Sequence, residues 1–436
     1  MDCNTLLPLS AFRNQIYACF GTAKNALFDV CDALLTGTQA HSFVELSLAP
    51  AFARRWSSLY KAVQDAKIDR DALRHAFAAQ VTAPADGKRL VLGIDASSIA
   101  RPQSQTARDR TYVHASNLPE GSVPTVAGWQ FSALTVLPEE PGSWTYVLDN
   151  LRVESAKTQG EVAAQQLTEI IPLLPVRPLL LGDGYYGGVT FLKQVETVAC
   201  DKLLRLTKNR NLYRPAPPPT GKRGGPQKDG ARFQPQNPAT HAPPDATWSG
   251  TDASGKEVTV SVWHNLHFKA ARQITVSVIR VERHHATDSK RDPRQSWFVW
   301  QGQELPPLCE IALLYARRYS QEHGYRVDKQ NLLWETPRLR TPEQFQVWTD
   351  VVACVRNQLC LARCLAQVMR QPWERTARER TPQQVRRAMP GILAQLGTPA
   401  RLPQPRGKSP GRSKGVKVKP ALRFKTIFKD TSKVSK

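Results

Sequence analysis

Two short apolar runs each end in an aspartate set among small residues: Asp95 in VLGIDASS and Asp183 in LLLGDGYYGG. Runs of Val, Leu and Ile bounded by Gly and Ser read as buried strands. A carboxylate at the end of such a strand has a fixed position with open space beyond it. Gly93, Ala96, Ser97, Gly182 and Gly184 leave room there for a large ligand. A lone strand-end aspartate is often only a cap or a turn former, and that reading stays open for either residue. Two of them in one sheet point further, because gathered carboxylates need a counter-charge that a divalent cation can supply.

A third group lies in IALLYARRYSQEHGYRVDKQNLLW, which carries Tyr315, Arg318, Glu322 and Lys329. On one continuous α-helix, at about 100° per residue, these four fall within a sector of about 60°. One acid among a phenol, a guanidinium and an ammonium can hold a metal while its neighbours hold phosphates. With this composition, chance would supply that pattern around some acid on the order of once in 60 such chains. A solvated charged face is the plain alternative. Arg317 points about 100° away from Arg318 on the same wheel, so its loss is expected to be the milder one.

The elements that must position these residues follow from periodicity. Residues 1–88 read as helical, with KNALFDVCDALL and DRDALRHAFAAQ spacing their apolar residues at three and four, and Asp69 and Asp71 placed for a helix start. From Arg89 to about 207 the pattern predicts three strands (RLVLGIDASS, GWQFSALTVL, SWTYVLDNLRV), a helix (KTQGEVAAQQLTEII), a strand ending at Asp183, a short helix and the strand DKLLRLTKN. Residues 208–292 form an insertion, first Pro- and Gly-rich and basic, then two alternating strands, EVTVSVWHNLHF and RQITVSVIRVE, expected to pair as a unit of their own. The strand SWFVW and the signature helix occupy 293–335, and a helical region covers 336–400.

Net charge is +23, and residues 401–436 hold 12 Lys plus Arg against one acid. That segment, rich in Pro, Gly and Ser, is expected to be a disordered basic tail that attracts phosphates without reading sequence; a solubilising terminus is the alternative. A surplus on this scale suits a polyanionic partner, most often nucleic acid. No apolar run approaches the roughly 18 residues of a membrane helix, and no secretory leader is evident at Met1, so an intracellular protein is expected. The eight cysteines include no CxxC and read as reduced core thiols. His264 with His267, and His284 with His285, lack the acid or thiol partners of a zinc site, and GxSxG, Walker A and GxGxxG patterns are absent.

The Tyr-x2-Arg-x3-Glu-x6-Lys spacing, with upstream acids in IDAS and GDGYYG, resembles the DDE transposases of bacterial insertion sequences, and within them the YREK-signature group. The resemblance covers about residues 89–335, and the 139 residues from Asp183 to Glu322 leave room for the β-rich insertion of that group. It implies an α/β fold, an RNase H-like mixed sheet with a β-rich insertion, flanked by helical regions that bind DNA ends (1–88) and dimerise (336–400). It implies two divalent metal ions, Mg²⁺ with Mn²⁺ able to substitute, held by Asp95, which bridges both, and by Asp183 and Glu322. Arg318, Lys329 and Tyr315 would contact DNA near the element end, and Trp297 in SWFVW would hold a flipped base; core packing is the alternative for that tryptophan. The expected partners are terminal inverted repeats and target DNA, bound by a homodimer in the bacterial cytoplasm and associated with the nucleoid. A hairpin step in excision is suggested but left open. Two other functions also remain open: a catalytically silent DNA-binding derivative, and a nuclease of the same fold without strand transfer.

Overall fold

The computed structural model describes residues 5–115, 123–218, 225, 227–252, 255–289, 293–367, 371–374, 380–404, 411, 413–417 and 419–429. Its centre is a mixed sheet. Strands β1 (Val91–Ala100), β3 (Thr125–Val136) and β4 (Tyr146–Val153) form an antiparallel meander, while β5 (Leu179–Gly182) and β6 (Asp201–Arg205) run parallel to β1. The order β4-β3-β1-β5-β6, with helices at both ends of the chain, is an RNase H-like arrangement. The inner strands read as continuous apolar runs because both faces are covered. Leu179 and Leu181 join one buried cluster and Leu180 another, as a two-residue period requires.

Helices α5 (Gln159–Ile170) and α6 (Val189–Gln194) contribute to one of these clusters. Thr158 and Glu161 cap α5 reciprocally, satisfying two otherwise orphaned N–H groups. The two strands expected to pair alone, β10 (Glu257–Phe268) and β11 (Ala271–Arg283), do pair, but they are not separate from the core. Strand β12 (Gln295–Gln301) bonds antiparallel to both β11 and β6, so the insertion prolongs the central sheet. Besides the two-residue strands β7 (Leu212–Tyr213) and β8 (Arg232–Phe233), two longer edge strands went unpredicted, β2 (Thr111–His114) and β9 (Ala246–Thr251). Neither carries an apolar run, since each lies at a margin and leaves alternate residues to water.

The helical regions on either side of the core are one body. Helices α1 (Leu7–Cys19), α2 (Lys24–Thr36), α3 (Trp56–Asp65) and α4 (Arg70–Ala78) share an apolar cluster with α9 (Pro342–Leu361) and α10 (Pro382–Leu396). Buried Arg13 joins them, donating to Asp32 on α2 (2.8 Å) and to Gln358 on α9 (2.7 Å). Helix α9 ends at Leu361 rather than running on to Met369 as its pattern suggests; residues 368–370 lie outside the described residues. The basic tail is not wholly free either. Phe424 N–H donates to the Gln105 carbonyl, Ile427 N–H to the Arg110 carbonyl, and Phe428 packs on Tyr112, so a described stretch of the tail adds to the β2 edge. That edge offers unpaired backbone groups, and an extended segment satisfies them. Among the described residues, no helix is long and apolar enough to cross a membrane.

Candidate active site

Ile94 and Gly182 pair across the parallel strands β1 and β5, so Asp95 and Asp183 follow immediately on neighbouring strands. Adjacent strands lie about 4.8 Å apart, and backbone hydrogen bonding sets this pair. Asp95 Oδ1 accepts from Ala96 N–H (2.9 Å), and Asp183 Oδ1 accepts from Tyr185 N–H (2.9 Å).

The third acid arrives on a helical segment that is not one helix. Helix α7 (Leu308–Ala316) stops, Arg317 and Arg318 form a tighter turn with N–H groups bonded three residues back, and α8 (Tyr319–Arg326) restarts. A π-helical turn, Val327–Asn331, follows. Each interruption rotates the residues beyond it, so the single-wheel expectation for Tyr315, Arg318, Glu322 and Lys329 does not hold as drawn. Tertiary contacts bring them to β1 and β5 instead; only Asp183 follows a strand end, whereas Asp95 is the fifth residue of the ten in β1, because pairing with β3 carries that strand on to Ala100. Arg318 reaches Glu322 Oε1 at 3.1 Å and Asp95 Oδ2 at 3.4 Å. The Tyr315 hydroxyl donates to the Gly182 carbonyl (3.3 Å), and its ring packs on Phe298. Lys329 Nζ donates to the Ser98 carbonyl (3.0 Å) and pairs with Glu335 at 3.4 Å. Ser98 is three residues beyond Asp95, about 10 Å along the strand, so Lys329 sits to one side of the acids.

Gly93 permits this approach: a Cβ there would collide with Gln321, whose amide donates to the Ala133 carbonyl (2.8 Å). The Tyr325 hydroxyl donates to the Asp95 carbonyl (3.0 Å). Two positioning residues were not anticipated. Buried Arg356 on α9 donates to Asp328 (2.8 Å), to the Gly324 carbonyl and to the Thr145 carbonyl (2.9 Å), clamping the signature segment to β4. A single arginine inside VVACVRNQLCL was the available signal. Arg317, expected to be a mild neighbour, is buried and donates to the carbonyls of Pro138 (2.7 Å) and Leu137 (3.0 Å). The wheel counted angles on an isolated helix and could not see that β3 continues into this loop.

Burial pushes the Asp95 carboxyl up to about 6; Arg318 opposes that shift, while Asp183 and Glu322 add to it. The Asp95 carboxyl therefore feels the charge of both other acids. Burial works against the Arg318 charge, but Asp95, Tyr315, Asp183 and Glu322 more than compensate and raise its pKa. Burial likewise pushes the Tyr315 phenol up to about 12, leaving it a neutral donor. Beside Asp183 opens a cavity of about 480 Å³ that is also lined by Arg205, Lys208, Gln295, Trp297 and Arg318. Trp297 is buried and stacks on Trp263 at 5.7 Å between ring centroids, with Arg280 above both. The Trp297 Nε1, Arg318 Nε and Tyr186 hydroxyl are buried donors without partners among the described residues. Unsatisfied donors in a basic cavity suit an acceptor-rich ligand. The acids offer only oxygen, which matches a hard divalent cation such as Mg²⁺ or Mn²⁺. Among the described residues, however, they are not closed into a metal-holding group of three.

Residues 15–265, more than half of the chain, match the family model described as DDE superfamily endonuclease. That stretch contains Asp95 and Asp183 and ends before the signature segment. No curated protein matches the chain.

Proposed function

This chain belongs to the DDE superfamily endonucleases, and from that premise we propose that it is a DNA transposase of the YREK-signature insertion-sequence group, cutting element ends and joining them to target DNA. The observation that supports this reading is Arg318, which contacts both Asp95 and Glu322 and lines one cavity with Asp183, Arg205 and Lys208. Carboxylates alone would repel DNA; the basic wall makes the same place attractive to a phosphodiester.

In this reading Asp95, Asp183 and Glu322 hold two divalent cations, Mg²⁺ or Mn²⁺. Bound there, the cations would activate the attacking hydroxyl and stabilise the leaving oxygen of an in-line displacement. The chain's own residues do the rest. Arg318, Arg205 and Lys208 face the scissile strand as phosphate contacts, as Arg and Lys commonly do. The Tyr315 hydroxyl, bonded to the Gly182 carbonyl, steadies the strand end that bears Asp183. Trp297 borders the cavity but is packed in the core by Trp263, His241 and Phe233, which favours the core-packing alternative over a stacking platform for a flipped base. Lys329, held on β1 by the Ser98 carbonyl and paired with Glu335, would offer a further phosphate contact to one side of the acids. Paired ends call for a homodimer, and the shared body of terminal helices is the part of the chain available for end binding and pairing.

Incubation with labelled element ends, a target plasmid and Mg²⁺ tests the proposal. Joined products support transposition. Cleavage without joining assigns a nuclease, and a gel shift without products assigns a DNA-binding derivative.

A further inference from the structure

Arg318 stands between the acids rather than beside them. One guanidinium nitrogen is 3.1 Å from Glu322 Oε1 and the other 3.4 Å from Asp95 Oδ2, with the side chain 16% exposed. The same oxygens are the ones a divalent cation would need, at about 2.0–2.1 Å for Mg²⁺. A guanidinium and a metal ion sharing these oxygens repel each other, and poor hydration strengthens the repulsion.

Nor is Arg318 at rest there. Its Nε is buried without a partner, so the bridge leaves a donor unsatisfied. It projects from the tight turn between α7 and α8, where a change of rotamer disturbs no helix interior. It also lines the cavity with Arg205 and Lys208, where an entering phosphate would meet three cations. Phosphate is a strong bidentate acceptor for guanidinium.

We propose that Arg318 is an internal counter-ion that holds Asp95 and Glu322 against divalent cations until a DNA phosphate draws it away, so that metal loading depends on DNA binding. This rests on the metal-dependent reading of the three acids. Coupling of this kind is reciprocal: bound metal releases Arg318 to the phosphate, and bound phosphate releases the acids to the metal.

Mn²⁺ titration of the full chain, followed by electron paramagnetic resonance, tests it without requiring cleavage. In the absence of DNA, R318Q and R318M should bind Mn²⁺ roughly fivefold or more tightly than wild type. D95N should lose that binding. A short DNA duplex, with its own Mn²⁺ uptake subtracted, should tighten binding to wild type more than to R318Q. The two neutral variants differ in polarity, so if one does not fold the other decides. Unchanged or weaker Mn²⁺ binding in the folded variant, with D95N still defective, overturns the counter-ion and leaves the acid site standing. Wild-type Mn²⁺ binding in D95N overturns the acid site itself. An equal gain from the duplex in wild type and R318Q overturns the coupling to DNA.

Discussion

Asp95 and Asp183 are fixed by backbone, whereas Glu322 is held by side chains. The first two follow the paired residues Ile94 and Gly182 on adjacent parallel strands, and ladder hydrogen bonds leave them little freedom. Glu322 rides on α8, between a tight turn and a π-helical turn, and is placed by Gln321, Tyr325 and the Arg356 clamp. The sheet supplies a rigid half of the proposed site and the signature segment an adjustable half. Strain-tolerant interruptions such as the π turn are common where function requires a side chain to be aimed rather than merely packed.

The comparison can be broken at several points. The largest effect is expected at the rigid half. Asp95→Asn and Asp183→Asn should each reduce DNA cleavage by about three orders of magnitude or more, roughly 4 kcal/mol of transition-state stabilisation. DNA affinity measured by gel shift should stay near wild type, because phosphate contacts lie elsewhere. A variant that cleaves normally does not contain a site residue at that position.

The adjustable half should fail through stability. Arg356→Ala leaves Asp328 buried and several carbonyls unpaired, so urea denaturation should show a loss of about 3–5 kcal/mol. A loss below about 1 kcal/mol would mean that the segment is held without the clamp.

Neighbouring arginines sharpen the contrast. Arg317→Ala should lose about 2 kcal/mol of stability through its orphaned carbonyl partners. Its cleavage rate per folded molecule should stay close to wild type. Arg318→Ala should melt near wild type but process ends poorly, since the scissile phosphate loses a positioning contact. The reverse assignment of the two phenotypes would place the wrong arginine in the site.

The smallest effect concerns the tail. Deleting residues 401–436 should weaken binding to random DNA and flatten its dependence on salt. Loss of the segment docked on β2 should alter folding stability by only about 1 kcal/mol, as expected for a short exposed edge contact. Lost end specificity with unchanged non-specific affinity would contradict a sequence-blind tail.

The rigid half was largely legible in the sequence. β1, β5 and β6 are buried on both faces, so each reads as an apolar run, and Asp95 and Asp183 punctuate two of them. The Asp69 cap of α4 was equally plain. The interruption of the signature helix was not, because YARRYS contains neither Gly nor Pro to mark it. Arg317 and Arg318 are alike in type and differ only in what the fold sets beside them: strand-end carbonyls for one, carboxylates for the other. The joining of β12 to both β6 and β11 was also hidden, since strand pairing across an insertion leaves no local pattern. The tail's docking was masked by its composition, which suits disorder except at Phe424, Ile427 and Phe428.

Glu322 is the decisive residue, because it lies beyond the stretch that matches the family and belongs to the half of the site held by side chains. The most direct measurement is the Mg²⁺-dependent cleavage rate of Glu322→Gln on a labelled DNA duplex carrying the element end, with gel shift and thermal melting run in parallel. We expect cleavage to fall by about three orders of magnitude, as for the two aspartates, with wild-type binding and melting. Cleavage at the wild-type rate would contradict the three-carboxylate site and leave Asp95 and Asp183 without their third partner.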